Sequence, residues 1–222
     1  MDPQDIAHDR ALELAEDAHA RGDETGWLEP FYAAAGQDTG NVPWYRDEPN
    51  EFLVGWLDDR AARGGGQGSR ALVVGCGLGN DAEELSRRGY AVTAFDIAPS
   101  AVEWARKRNP SSTVEYVAAD LLHTPAEWAQ AFDLVVEIFT VQVLRGEPRR
   151  EALLALPGLV APGGTLLLIC RAREDDEDEG DLPFPLTKRE LSTIAQLLTT
   201  ESFEDFYDAE GHHRFRAAWS RP

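Results

Sequence analysis

The chain has 222 residues, 43% of them hydrophobic, which is enough for one sizeable α/β core with an N-terminal extension and excludes disorder. Its 40 Asp and Glu against 21 Lys and Arg give a formal charge of −19, which repels phosphate backbones and anionic lipid and argues against nucleic-acid and membrane partners. Cys76 and Cys170 form neither a metal spacing nor a disulfide framework, and the longest apolar run, Leu166 to Cys170, is far too short to span a bilayer.

The first residues carry Asp2, Asp5 and Asp9 where a signal peptide needs a basic start, so the cytoplasm is the expected location. Residues 5–21 read as a helix with Ala7, Ala11, Leu14, Ala15 and Ala18 on one face. An aromatic, Pro/Gly-broken stretch follows, with Trp27, Phe31, Tyr32, Trp44 and Tyr45. Residues 51–63 read as a second helix burying Phe52, Leu53, Trp56 and Leu57. The run from Gly64 to Ser69 is a flexible connector, which divides the chain into an extension over 1–63 and a main domain over 69–222.

Strand and helix then alternate. Strands are expected at 71–74, 91–95, 114–117, 134–138 and 165–170. Helices are expected at 81–88, 99–108, with proline in its first turn, and 147–156. A short turn lies around 127–130, and Pro162-Gly163-Gly164 turns into the fifth strand. A helix at 187–198 and two strands, 202–207 and 214–219, close the chain. The short loop around Gly211 makes the last strand antiparallel. Such alternation demands a parallel sheet with helices on both faces, a Rossmann-like α/β fold. The acidic block from Glu174 to Asp181 reads as a solvated loop before a cation site, and Leu182-Pro183-Phe184-Pro185 as a lid or a plug over the core.

Three strand ends carry the chemistry. Gly75, Gly77 and Gly79 follow the first strand directly and precede a helix, so bare backbone can approach a ligand beside unpaired N–H groups. Asp96 ends the second strand, placed to accept two hydrogen bonds from a ribose diol. Asp120 follows the third strand, within reach of an adenine amino group. Together they describe a pocket for an adenosine-containing ligand. The dinucleotide fingerprint places glycine at position 80, where this chain has Asn80.

The Gly-x-Gly-x-Gly spacing instead resembles the first motif of class I S-adenosylmethionine-dependent methyltransferases. The turn Gly75-Cys76-Gly77-Leu78-Gly79-Asn80-Asp81, preceded by Val73 in place of an acid, resembles the thiopurine S-methyltransferase and halide/thiol methyltransferase group. Trp27-Leu28-Glu29-Pro30-Phe31-Tyr32 and Pro43-Trp44-Tyr45 echo that group's N-terminal stretch. The resemblance implies a seven-stranded sheet with its last strand antiparallel, S-adenosylmethionine as cofactor, and a small-molecule methyl acceptor, with a thiol as the first candidate. It also implies that Trp44 covers the cofactor and that Gly75, Gly77, Asp96, Ile97, Asp120 and Leu121 contact it, with Cys76, Gly79, Asp81 and Glu137 completing the candidate set.

Each residue has a plainer reading. Asp81 could act on the methionine amino group, but capping the helix is the commoner role at such a position. Cys76 has no histidine near it in sequence and is rejected as a nucleophile. Glu137, at the carboxyl edge of the fourth strand, is expected to face the crevice, where it serves as a base or substrate holder, and equally well reads as a hydrogen-bonded structural acid. It and Tyr45 are the catalytic candidates. The five histidines make no metal pattern, so no metal is expected. The chain is expected to be a monomer or homodimer. Nitrogen or oxygen acceptors, a nicotinamide-dependent oxidoreductase and a non-catalytic adenosine-ligand binder are the alternatives.

Overall fold

The computed structural model describes residues 3–62, 66 and 68–222. The N-terminal part holds α1 (Pro3–His19), α2 (Leu28–Ala34) and α3 (Glu51–Ala62). Then β1 (Arg70–Val74), α4 (Asn80–Arg87), β2 (Ala91–Asp96), α5 (Pro99–Arg108) and β3 (Glu115–Ala118) alternate. The second half runs through β4 (Phe132–Ile138), α6 (Gly146–Leu159), β5 (Val160–Arg171), α7 (Lys188–Ala195), β6 (Thr199–Tyr207) and β7 (His213–Ser220).

The strands form one seven-stranded sheet in the order β3-β2-β1-β4-β5-β7-β6. Pairings among β1 to β5 are parallel, whereas β7 runs antiparallel to both its neighbours, β5 and β6. This is the Rossmann-like sheet with a reversed last strand that the alternation predicts.

Period-two geometry explains why the central strands are apolar throughout. Leu72, Val74, Val135, Leu166 and Leu168 point to one face, where Leu153 and Leu156 of α6 and Leu191 and Ile194 of α7 cover them. Ala71, Val73, Leu134, Val136 and Leu167 point to the other, under Leu53 of α3, Leu85 of α4 and Val102 of α5. Thus α3, assigned to the extension by the glycine run, contributes Leu53 and Leu57 to the core beneath the sheet. A third cluster joins the alanine face of α1 (Ala11, Ala15, Ala18) to Trp27, Phe31 and Tyr32, and these to Leu78 and Ala98 on the main domain. Small alanines let α1 lie close to the aromatic layer.

Several boundaries differ from the sequence reading. Pro162-Gly163-Gly164 lies inside β5 as a register break: Phe132 pairs with Val160 but Leu134 with Thr165. Gly163 has φ +74° and a Cβ on Gly164 would meet the Phe132 carbonyl oxygen at 2.9 Å, so turn residues serve a bulge here. The helix read at 187–198 is Lys188–Ala195, capped by Thr187 and Glu190 in a reciprocal capping box, and β6 begins three residues early at Thr199. Residue 63 of the second helix reading and residues 64, 65 and 67 of the glycine connector lie outside the described residues. Among the described residues no helix is long and apolar enough to cross a membrane.

Buried Arg149 on α6 fixes the segment that carries the acidic block. It donates to the Leu144 and Phe184 carbonyl oxygens at 2.6 and 3.1 Å and pairs with Glu179 and Glu190 at 2.8 Å each. Residues 174–178 remain exposed, as a solvated loop requires. Phe184 is buried, while Leu182 and Pro183 face a cavity, so the segment is plug and lid at once.

Candidate functional site

A cavity of about 920 Å³ opens at the carboxyl ends of β1, β2, β4 and β5 and is roofed by residues of α1 and of the 22–52 region. This is the crevice where the strand order reverses, the usual ligand position in open α/β sheets.

Its floor is the turn after β1. Gly75, Gly77 and Gly79 adopt φ of +61°, +50° and +94°, which side-chain-bearing residues rarely adopt. A Cβ on Gly75 would lie 2.2 Å from Thr140 Oγ1, and one on Gly79 2.3 Å from Tyr116 Oη. The turn is therefore bare by necessity on both sides. Gly79 is also the N-cap of α4, so the helix offers its first N–H groups without a side-chain cap.

Asp96 holds this turn from the end of β2. Its Oδ2 accepts from the Gly77 N–H at 2.9 Å and its Oδ1 from the Ala98 N–H at 3.0 Å. Burial raises its pKa, and these amide bonds oppose the rise. Each oxygen keeps a second lone pair, and the residue lines the cavity with Ile97 beside it. Asp120, at the end of the third strand's loop, accepts from the Leu122 N–H at 2.9 Å and bonds His123 at 2.8 Å. It lines the cavity with Leu121.

Trp44 forms part of the roof, half-exposed, with its Nε1 donating to Tyr32 Oη at 3.0 Å. Its ring lies 4.6 Å from that of Phe31 and edge-on to Trp27. Burial holds the Tyr32 phenol far above its ordinary pKa, so it stays protonated beside the Gly77 backbone. Tyr45 also lines the cavity, but its hydroxyl donates to Asp47 at 2.9 Å and accepts from Arg108 at 2.5 Å. Those partners leave it anchoring the roof.

Two expectations are corrected. Asp81 does not cap α4; its Oδ1 accepts from the Asn50 N–H at 2.7 Å, a tie to the roof across 31 residues of chain. Asn80 donates to the Arg46 carbonyl oxygen, so both residues clasp the 46–50 segment. Burial raises the Asp81 pKa, against the Asn50 amide bond. Glu137 does not face the crevice. Its side chain is fully buried and absent from the cavity lining, with Oε1 accepting from the Thr140 and Val141 N–H groups at 2.7 and 2.8 Å. No described residue bonds its Oε2, and burial pushes its pKa up to about 7. Glu137 thus has the geometry of the structural acid. It shapes the loop in which Phe139 takes φ +59° and Thr140 reaches over Gly75.

Cys76 lies in the turn with its thiol pushed well above its ordinary pKa by burial, which agrees with rejecting it as a nucleophile. Tyr32, Thr140, Arg171 and Arg214 line the cavity and carry no role in the sequence reading. A cation closing an apolar strand at the sheet's carboxyl edge is the signal that marks Arg171.

Residues 72–168 match the family model described as a methyltransferase domain. The ubiquinone biosynthesis O-methyltransferase of Xanthomonas campestris pv. campestris is 38% identical over 148 residues, 64% of this chain and 59% of that protein. The chain thus spans less than two thirds of the length of that relative. Among solved structures, the N-methyltransferase NodS from Bradyrhizobium japonicum with S-adenosyl-L-homocysteine aligns at TM-score 0.69 and 22% identity, over 86% of this chain and 98% of that one. Magnesium protoporphyrin IX methyltransferase from Synechocystis, with the same ligand, aligns at TM-score 0.70 and 13% identity over 88% and 98%. The fold is that of the Rossmann-like methyltransferases.

Proposed function

We propose that this chain is an S-adenosylmethionine-dependent methyltransferase acting on a small-molecule acceptor. The observation that carries this reading is the convergence of a side-chain-free turn and the carboxylates of Asp96 and Asp120 on one cavity of about 920 Å³. The donor set fits the cofactor: Asp96 and Asp120 supply acceptors, and the turn supplies exposed backbone beside the start of α4. Position 80, which a dinucleotide turn fills with glycine, holds an asparagine that clasps the roof. The match to a methyltransferase domain over 72–168 supports the same reading.

When bound, S-adenosylmethionine supplies a methyl group already activated by its sulfonium. The chain's task is then to bind, align and exclude water. Asp96 and Asp120 orient the nucleoside, Trp44 and Tyr32 close the roof above the turn, and Leu182 and Pro183 seal the acceptor side.

The acceptor atom we assign is a thiol. A thiol ionises near neutral pH and needs little help from a base. Glu137, the candidate base of the fourth strand, lies outside the cavity lining and Tyr45 is tied to Asp47 and Arg108, which supports such an acceptor. The 38% identical relative, named as an O-methyltransferase, favours an oxygen acceptor as the second reading. In that reading His8, the imidazole lining the cavity, is the available base.

Titration calorimetry with S-adenosylhomocysteine and NAD, followed by methyl transfer to thiols, phenols and amines, tests both levels. Micromolar binding of S-adenosylhomocysteine and transfer to thiols is expected. Preference for NAD would overturn the reading. Transfer to phenols that is lost in His8→Ala would replace the thiol with an oxygen.

A further inference from the structure

The strand order works as a ruler across the cavity. Asp96 ends β2 and Arg171 ends β5, three strand steps apart through β1 and β4, or about 14 Å at ordinary strand spacing. Asp96 and Asp120 therefore lie toward one end of the cavity and Arg171 and Arg214 toward the other, where Asp208 and Glu210 also line it.

At that second end Arg171 stands directly opposite Arg214 in the antiparallel β5–β7 register. Like charges so placed repel and destabilise a sheet. Arg214 is compensated: its Nε pairs with Asp208 at 2.9 Å and its guanidinium lies 5.0 Å from the Phe139 ring centre. Arg171 is not. Its backbone N–H donates to Gln142 Oε1 at 2.9 Å, but no described residue bonds its guanidinium. Desolvation and the Arg214 charge both lower its pKa, opposed by Asp208 and Glu210. Glu210 is exposed and lies 3.5 Å from His212, where solvent screens it. Both arginines line the cavity, as do Leu182 and Pro183.

We infer that Arg171 is a specificity-determining residue that receives a carboxylate carried by the methyl acceptor. The inference rests on the methyltransferase reading and names its substrate class. A planar guanidinium with free donors matches a carboxylate in two parallel hydrogen bonds. With Arg214 already neutralised by Asp208, one delocalised negative charge balances this corner, and a neutral acceptor leaves the repulsion unrelieved. In a chain where 40 acids face 21 cations, Arg171 is a half-buried arginine in a ligand cavity whose guanidinium no described residue bonds.

Matched probes test it. 2-(Methylthio)benzoate and the neutral 2-(methylthio)benzyl alcohol are titrated into wild type, Arg171→Gln and Arg171→Lys, with and without S-adenosylhomocysteine. Thiosalicylate and 2-mercaptobenzyl alcohol are compared as methyl acceptors. Wild type is expected to prefer the acid by about tenfold or more in Kd and in kcat/KM, Arg171→Lys to keep part of that, and Arg171→Gln to show parity. S-adenosylhomocysteine affinity stays within about twofold throughout. The Tm of Arg171→Gln stays level or rises, because a repulsion is removed; a merely structural role would lower it. Equal binding of acid and alcohol to wild type, binding of neither, or a preference surviving in Arg171→Gln overturns the proposal. Acid preference at Arg171 in a protein that takes no S-adenosylhomocysteine upholds the anion site and removes the methyltransferase reading instead.

Discussion

The Thr140 hydroxyl stands directly over Gly75. It donates to the Val74 carbonyl oxygen at 3.0 Å, and a Cβ on Gly75 would come within 2.2 Å of Thr140 Oγ1. With φ of +61° added, Gly75→Ala is expected to cost about 1–3 kcal/mol in urea unfolding and to weaken S-adenosylhomocysteine binding by about tenfold or more. Gly158→Ala is the control: nothing lies within 4 Å of its added Cβ in α6, so stability holds or rises by up to about 1 kcal/mol. Equal behaviour of the two variants would contradict the packed-turn account.

Asp96 connects the turn to the nucleoside end of the cavity. Asp96→Ala is expected to weaken S-adenosylhomocysteine binding by about 100-fold or more in calorimetry, since it removes both a ligand acceptor and the anchor of the Gly77 and Ala98 N–H groups. Asp96→Asn keeps one acceptor oxygen and should fold with the native near-ultraviolet dichroism. Undiminished affinity in both variants would remove Asp96 from the site.

For Asp81, capping and clasping predict different outcomes. Because its Oδ1 accepts from the Asn50 N–H at 2.7 Å, Asp81→Ala is expected to speed amide exchange through residues 44–50 and to cost about 1–3 kcal/mol. Exchange confined to the first turn of α4 would restore the capping role.

Glu137 makes stability depend on pH. Its pKa is raised from 4.5 to about 7 in the fold, so the folded chain holds a proton that the unfolded chain releases earlier. The contribution is full below about pH 4.5 and is lost as pH rises through about 7, an order of about 3 kcal/mol. Glu137→Gln keeps an acceptor for the Thr140 and Val141 N–H groups but cannot titrate. Thermal melts from pH 5 to 8 should show wild type losing Tm with rising pH more steeply than the variant. Asp81 and Asp96 titrate in the same direction in both proteins and cancel from the comparison. Parallel curves would mean that Glu137 is ionised throughout.

Alternation of apolar strands with helices made the sheet legible in the sequence, down to the reversed β7. The glycine turn and the acids at 96 and 120 were legible too, because chain-local spacing sets them at adjacent strand tips. What stayed hidden depends on contacts between distant segments. Asp81 sits where a cap belongs, and only the fold shows that Asn50, 31 residues earlier, takes its oxygen. Glu137 sits at a strand end, but a strand end does not say whether a side chain enters the crevice or turns back under the next loop. Arg171 and Arg214 lie 43 residues apart and become opposite partners only through the β5–β7 register. Pro162-Gly163-Gly164 has turn chemistry that serves equally for a turn and for a bulge.

The position of β7 bears on how the acceptor end of the cavity is assembled. Thr199–Tyr207 comes earlier in the chain, yet it touches the sheet only through His213–Ser220, which lies between it and β5. A short connection lets these two strands zip together locally, at small entropic cost, before either meets the rest. In the finished sheet the pair meets the rest through β7 alone, along β5. Asp208, at its tip, and Arg214, one residue into the return strand, are bound to each other at 2.9 Å within that pair. Arg171 thus meets a neighbour whose charge is already spoken for, and its own remains available to whatever enters last.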